Sequence, residues 1–494
     1  VDSEISARIE AELTLQRTLD RSREMNQLKR ELAQDHLNKG WDYDHMTRQV
    51  VQRLAVALDV DEAGLWLFSE DHSALRPHCV WSPTEGEIFN APRLTEHKAP
   101  SAFRFASQGA YLDAADLDRP ERWYPLRVKV CDRCFLVQTE DFAEADALFS
   151  ADYGYFSATS TSWLDHASAF VEEAVGRFGL TAASHVVEVA ANDGYLLQFV
   201  RQRGIPSLGI EPTASTAAAA RGRGIEVVEA FFGRALGEEL AAAGRQADLI
   251  VANNVLAHVP DIRDFAAGFA ALLKPGGVAS FEFQYLLRLV EGAQFDTIYH
   301  EHFSYLSFGV VERLLAGAGL EVIDVAELGT HGGSLRVFAA HAGAGLPRTD
   351  APLRMRALEA AAGMQDGAFY DAFQPRAEAI KDGFLAHLIA AKAAGRRVAA
   401  YGAAAKGNTL LNFAGVRSDL VAMVGDGSPG KVGRFLPGSR IPIVDIEALF
   451  AARPDEIVIL PWNIAPELAA VLEPARARGA RLTIAIPQIA EVAA

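Results

Sequence analysis

The densest concentration of chemically useful side chains is Phe295-Asp296-Thr297-Ile298-Tyr299-His300-Glu301-His302-Phe303-Ser304-Tyr305. Two histidines flank a carboxylate, with tyrosines on either side. Histidine titrates near neutrality, and a neighbouring carboxylate can orient it and raise its basicity, so the pattern suits removal of a proton. A metal site is the competing interpretation, but the spacing is not H-E-x-x-H and no helix turn aligns the two imidazoles. A polar loop packed on a sheet is the bland alternative, and these residues alone leave it open.

A second candidate site begins at Val186-Val187-Glu188-Val189-Ala190, which runs into Ala191-Asn192-Asp193-Gly194 with a helix expected from Tyr195. A tight strand-to-helix turn brings backbone close to a ligand at the carboxyl edge of a parallel sheet, and Gly194 permits the approach. The next strand ends at Glu211, where an acid can accept hydrogen bonds from ribose hydroxyls. The full G-x-G-x-x-G fingerprint is missing, which favours a nucleoside smaller than a dinucleotide. A structural turn with a solvated glutamate is the alternative. A third candidate is Gly402 to Gly407, after a strand and opening a helix, a place suited to phosphate. Lys406, Lys431 and Arg434 could neutralise a diphosphate there, or be ordinary cations on a scaffold domain. Cys131-Asp132-Arg133-Cys134 is a fourth, with half the ligands of a closed zinc site.

The elements that must position these residues alternate helix and strand. Strands are expected at 185–190, 207–211, 226–230, 248–253 and 278–284, followed by a closing pair at 321–328 and 334–341. That alternation implies a mostly parallel, doubly wound sheet. A helical stretch over 353–394 leads to a second α/β unit with strands at 397–401, 421–425, 456–461 and 481–487. Upstream, residues 5–37 form a charged helix with one apolar stripe. A helix at 50–58 and a strand at 64–68 follow, and Leu54 to Phe68 resembles the opening of a GAF sensor domain, a likeness that stops near Pro120 before the second half of such a domain.

With 494 residues the chain has room for about three domains. Its net charge of -17 argues against a nonspecific nucleic-acid binder, which needs a basic face. Three cysteines fit a reducing cytoplasm and no disulfide framework. No run approaches the length of a membrane span, and the amino-terminal stretch has no signal-peptide core. A soluble, cytoplasmic protein without membrane partners is expected.

Several long segments, in order, resemble the sugar C-methyltransferase family of deoxysugar biosynthesis. They are Glu188 to Leu197, Tyr299-His300-Glu301-His302-Phe303, His331-Gly332-Gly333-Ser334-Leu335-Arg336, Tyr401 to Asn412, Gly430 to Gly438, and Leu460-Pro461-Trp462-Asn463. The likeness covers about Trp123 to Ile489. It implies a class I, Rossmann-like methyltransferase with a mostly parallel seven-stranded sheet, a second Rossmann-like α/β domain after it, and an irregular α+β amino-terminal region. The corresponding boundaries are 1–42 for a charged helix, 43–120 for the GAF-like segment, 121–160 for the remnant of a zinc domain, 161–345 for the donor domain and 350–494 for the last domain.

The resemblance further implies S-adenosylmethionine as methyl donor, held by Glu188, Asn192, Gly194, Glu211 and Asn253. The acceptor would be a nucleotide-linked 4-keto-6-deoxy sugar, methylated at a carbon beside its ketone. His302 would be the base, with Glu301 in support and Tyr299 and His258 lining the pocket. Tyr153, Tyr155, His300, Lys406, Asn408, Lys431 and Arg434 would hold the acceptor. Family members carry two Cys-x-x-Cys pairs, whereas here only Cys131 and Cys134 stand, so zinc is expected to be lost rather than kept. Two alternatives remain from the residues: a methyltransferase for another small acceptor, and a GAF-containing regulatory protein with an idle catalytic core.

Overall fold

A computed structural model describes residues 126–140 and 156–492, and the backbone of three strands between Ala63 and Glu87. The expected helices at 5–37 and 50–58, and Tyr153 and Tyr155, lie outside the described residues. The chain divides into two compact units, Val1–Ala110 and Tyr111–Ala494. In the first, β1 (Ala63–Phe68), β2 (Leu75–Ser82) and β3 (Gly86–Glu87) form an antiparallel sheet.

The second unit opens with β4 (Val128–Val130) and β5 (Val137–Thr139), an antiparallel hairpin whose tip carries Cys131 and Cys134. Helix α1 (Thr161–Phe178) follows; its amino end is capped by Ser160, whose hydroxyl accepts the Trp163 N–H, and it ends at Gly179 in the left-handed region. The next strands are β6 (Val186–Val189), β7 (Ser207–Ile210), β8 (Glu226–Val228), β9 (Ala247–Asn253) and β10 (Leu273–Gln284). After the short β11 (Ser304–Tyr305) come β12 (Leu320–Leu328) and β13 (Ser334–His341).

Seven strands make one sheet in the order β12-β13-β10-β9-β6-β7-β8, with β13 antiparallel to both neighbours and the other pairings parallel. This is the mostly parallel, Rossmann-like seven-stranded sheet expected from the sequence. The strands read as near-continuous apolar runs because helices cover both faces. Phe269, Phe281 and Leu335 are buried on one face, Phe170, Leu196 and Phe338 on the other. Strand order reverses at β6 and β9, so their carboxyl ends frame the crevice in which such sheets bind ligands.

Instead of one helical stretch, 351–393 folds as α2 (Ala351–Ala361), α3 (Gly367–Asp371) and α4 (Phe373–Ala393). The first break follows from Gly363, at φ 80°. The remaining strands are β14 (Val398–Tyr401), β15 (Val424–Gly425), β16 (Ile443–Val444), β17 (Glu456–Ile459), β18 (Arg481–Ile484) and β19 (Ala490–Glu491). They form a second sheet in the order β16-β15-β14-β17-β18-β19, parallel except for β19. Its own reversal point lies between β14 and β17, and helix α5 (Ala405–Phe413) starts there.

Candidate active site

At the first crevice, the backbone after β6 makes a sharp turn with three residues at positive φ: Ala190 at 54°, Asn192 at 50° and Gly194 at 80°. Gly194, at φ 80°, takes a conformation that favours glycine, and a Cβ there would also meet the tip of the Ile225 side chain. Glu211, at the end of β7, is 4 % exposed and locks the turn: its Oε2 accepts the Asn192 N–H at 2.9 Å. Its Oε1 accepts the Thr213 N–H at 2.9 Å and the Thr213 hydroxyl. The Asn192 amide oxygen accepts the Ser157 N–H at 2.9 Å. Asp193 likewise accepts the Ala158 N–H and pairs with Arg223 at 3.0 Å. The segment before α1 is thereby pinned over the turn.

Glu188 and Asn253 end up under this crevice. Glu188 is fully buried, and burial first of all drives its carboxyl well above the usual range. Among the described residues, the buried amide oxygen and nitrogen of Asn253, at the end of β9, make no hydrogen bond of ordinary geometry. A buried amide at a switch point, a glycine turn and a carboxylate at the end of the second strand together fit an adenosyl group.

The histidine segment forms the far wall. A 3-10 turn at Phe295–Thr297 precedes it and β11 follows it. His302 is 9 % exposed, and its Nδ1 lies 3.0 Å from the Thr297 carbonyl oxygen. A carbonyl only accepts, so Nδ1 carries the proton and Nε2 of the neutral ring keeps a lone pair. Burial pushes the imidazole well below its ordinary value, with His258 adding to the effect. Thr297 is the partner that orients the ring, in place of the expected Glu301; burial raises the Glu301 carboxyl. Tyr299 packs on His302 with ring centres 4.1 Å apart, His258 edge-on at 4.6 Å and Tyr305 at 5.8 Å. Burial lowers His258 to about 4, opposed by its hydrogen bond to the Glu301 main chain. His300 sits in the same turn, half-buried.

The cysteine hairpin braces this wall. β5 pairs with β11 immediately after His302, and the Thr139 hydroxyl donates to the His302 carbonyl oxygen at 2.6 Å. Cys131 and Cys134 face each other across the turn, where main-chain N–H groups of Cys134 and Arg133 lower the Cys131 thiol. Two thiols so arranged fit half of a tetrahedral zinc site; no third ligand groups with them among the described residues.

Apart from Lys406, the further residues that meet this wall have no role assigned by the sequence patterns. Asp296 is fully buried and accepts the Trp462 indole N–H at 2.8 Å. Burial raises its carboxyl to about 6, against the pull of Lys406. Lys406 lies with its ammonium 5.0 Å over the Trp462 ring and 3.1 Å from Asn463 Oδ1. The Thr409 hydroxyl donates to the Ile298 carbonyl oxygen at 3.1 Å. Glu282, next to Asn253 across β10 and β9, is fully buried and held by Arg336, by His166 at 2.8 Å and by the Thr330 hydroxyl at 3.0 Å. His331, at φ 55°, packs edge-on to Trp163 at 5.1 Å. Arg336, His331, Trp462 and Asn463 were visible as members of shared motifs, yet only the fold shows what they touch.

The four acceptor residues of the last domain separate. Lys406 lies over Trp462, and Asn408, one turn into α5, has its Oδ1 buried with no hydrogen-bond partner among the described residues. Lys431 and Arg434 are exposed in the loop between β15 and β16, with Lys431 3.5 Å from Asp426.

Comparison with known proteins decides the family. Models of a C-methyltransferase C-terminal domain, a methyltransferase domain and a zinc binding domain match residues 329–487, 163–325 and 105–149. C-methyltransferase NovU of Streptomyces niveus is 37% identical over 368 residues, covering 74% of this chain and 87% of NovU. The chain belongs to the C-methyltransferase family. It is an enzyme that uses S-adenosylmethionine as methyl donor. Among solved structures, magnesium protoporphyrin IX methyltransferase from Synechocystis, determined with bound S-adenosylhomocysteine, is 14% identical with a TM-score of 0.29, covering 36% of this chain and 83% of its own. An S-adenosylmethionine-dependent methyltransferase from Mesorhizobium loti is 15% identical with a TM-score of 0.29, covering 36% and 99%. Among the described residues of this family member no helix is long and apolar enough to cross a membrane.

Proposed function

We propose that the acceptor is a nucleotide-linked 4-keto-6-deoxy sugar, and that His302 removes the proton from a carbon beside its ketone. The observation that carries this is the 3.0 Å contact of His302 Nδ1 with the Thr297 carbonyl oxygen, which leaves Nε2 as a base. A proton beside a carbonyl is weakly acidic, so the base must be oriented in advance. Burial keeps the free imidazole neutral and ready. Once the proton has moved, the imidazolium stands beside a developing enolate, and that opposite charge favours the protonated ring. Tyr299, His258 and His300 line the approach, and Glu301 borders it without orienting the base.

S-adenosylmethionine supplies an electrophilic sulfonium methyl to the carbon that has lost its proton. The turn at Ala191–Gly194, Glu211 and Asn253 would hold it, with Glu188 beneath as part of the buried floor. Glu211 is fixed by main-chain donors from Asn192 and Thr213, so its remaining lone pairs are positioned for ribose hydroxyls. Lys431, Arg434 and Asn408, with Tyr153 and Tyr155 from the amino-terminal side, would contact the nucleotide-sugar. We place the reaction in the cytoplasm, in keeping with three cysteines in 494 residues. We assign residues 161–345 to donor binding and 350–494 to the second Rossmann-like domain.

The test is His302→Gln. Turnover on a nucleotide-linked 4-keto sugar is expected to vanish, while S-adenosylhomocysteine affinity stays within about twofold, because base and donor pocket are separate groups. Collapse of donor affinity would make His302 a structural residue.

A further inference from the structure

We propose that Lys406 is the cation that stabilises the enolate oxygen formed when His302 takes its proton. The inference rests on the proton-abstraction reading above and adds its missing half, since removal of such a proton needs a place for the negative charge as well as a base.

Lys406 stands at the amino end of α5, where the second sheet reverses order. Gly402 and Pro461 close this point: a Cβ on Gly402 would lie 2.4 Å from Pro461 Cδ. From there Lys406 lies over the indole of Trp462, whose N–H bonds Asp296 beside Thr297, and Thr409 one turn on bonds Ile298, so this helix end stands against the histidine wall of the first domain. Burial chiefly disfavours protonation of His302 and His331, and the Lys406 charge adds to it. The two domains are joined here by the Trp462–Asp296 and Thr409–Ile298 hydrogen bonds, so this placement is fixed.

The ammonium is also only partly used. It has three N–H donors, and among the described residues Asn463 Oδ1 is the acceptor they find, at 3.1 Å. Asp296 supplies compensating charge, but the Trp462 indole stands between: its N–H goes to Asp296 and its ring face to Lys406. Asp296 therefore keeps a charge near the base without capping the donors. A part-buried cation with donors to spare, beside a neutral base, is what a developing oxyanion requires. In the step, the C–H bond breaks, its proton passes to His302 Nε2, and its electron pair moves through the carbonyl to oxygen. Lys406 donates to that oxygen and need not transfer a proton. Lys431 and Arg434, exposed on another loop, remain for the diphosphate.

Deuterium uptake separates these roles because it needs no methyl donor. The full chain would be incubated in D2O with dTDP-4-keto-6-deoxyglucose, and exchange beside the ketone followed by NMR. Wild type is expected to catalyse exchange and His302→Gln to abolish it. Lys406→Met should slow exchange at saturating sugar by about 100-fold or more, the scale of losing one oxyanion donor. Affinity for S-adenosylhomocysteine and for the sugar nucleotide should change by less than about threefold on the same scale of effects, and Lys406→Arg should recover part of the rate. If Lys406→Met does not fold, Lys406→Gln, which can still bond Asn463, is to show the same loss. Exchange by the neutral variants within about threefold of wild type would overturn the proposal. So would weakened sugar binding with normal exchange at saturation, which would make Lys406 a phosphate ligand. Absence of exchange in wild type, or its survival in His302→Gln, would overturn the base assignment itself.

Discussion

Replacing Trp462 by Phe should uncouple the last domain from the catalytic wall. The indole N–H donates to Asp296 Oδ2 at 2.8 Å, and Asp296 is fully buried. Loss of a hydrogen bond to a buried carboxylate costs about 2–3 kcal/mol. The smaller ring also leaves space where Trp462 packs against Gly332, whose Cβ would lie 2.5 Å from the indole, adding about 1 kcal/mol. The hydrogen-bond part is isolated by a double-mutant cycle with Asp296→Ala, read as the shift in the urea unfolding midpoint at pH 7.5. A coupling energy of about 1–3 kcal/mol is expected. Activity should fall with it, because Asp296 adjoins Thr297, whose carbonyl orients His302. A coupling energy below about 0.3 kcal/mol, the scatter of independent sites, would refute the idea that this bond fastens the two domains.

Glu211→Gln should weaken S-adenosylhomocysteine binding by about 10- to 100-fold, the scale of one or two charged hydrogen bonds; calorimetric titration within twofold of wild type would remove Glu211 from the donor site. Thr139→Val deletes the hydroxyl that holds the His302 carbonyl and should lower kcat several-fold with unchanged donor affinity; an unchanged kcat would show that the cysteine hairpin does not position the base. Acid should destabilise the fold through the buried histidines. His331 falls to about 4, so below its unfolded value near 6.5 the unfolded chain binds the extra proton, and stability present above that value is lost as pH drops toward 4. His331→Asn should save about 1–2 kcal/mol over that window, the full shift discounted for partial exposure; equal losses in both proteins would contradict the burial of His331. Asp296, raised to about 6, works the other way: its contribution is present below its unfolded value and is lost as pH rises through 6.

Much of the fold could be read because it rests on local signals. The strands of the first sheet are apolar runs buried on both faces, bounded by turns, and their expected spans differ from the observed ones by a residue or two, except that β10 begins five residues early, at Leu273. Strands of two residues, such as β11, β16 and β19, have no periodicity to detect, and of the strand expected at 421–425 only Val424–Gly425 forms. Their existence depends on a partner already being in place, as β5 is for β11. The break of the 351–393 helical stretch was hidden for a different reason. Its composition favours helix throughout, and one glycine in the left-handed region is enough to end a turn.

The site divides along the same line. Side chains grouped within a few residues, such as the Tyr299–His302 run, declare themselves. The group that orients the base does not, because a main-chain carbonyl looks alike in every residue. A neighbouring carboxylate, Glu301, was therefore the natural expectation, and the 3-10 turn at Phe295–Thr297 is what brings Thr297 to His302 instead. The same holds for Lys406. In sequence it lies in a helix-opening segment that suits phosphate as well as any other anion. The pairing of Trp462 with Asp296, 166 positions apart, and the Thr409–Ile298 hydrogen bond set that helix end against the histidine segment. In the proposed reaction a short turn sets the base and an interdomain hydrogen bond sets the cation, so proton removal and charge stabilisation would depend on two different domains staying docked.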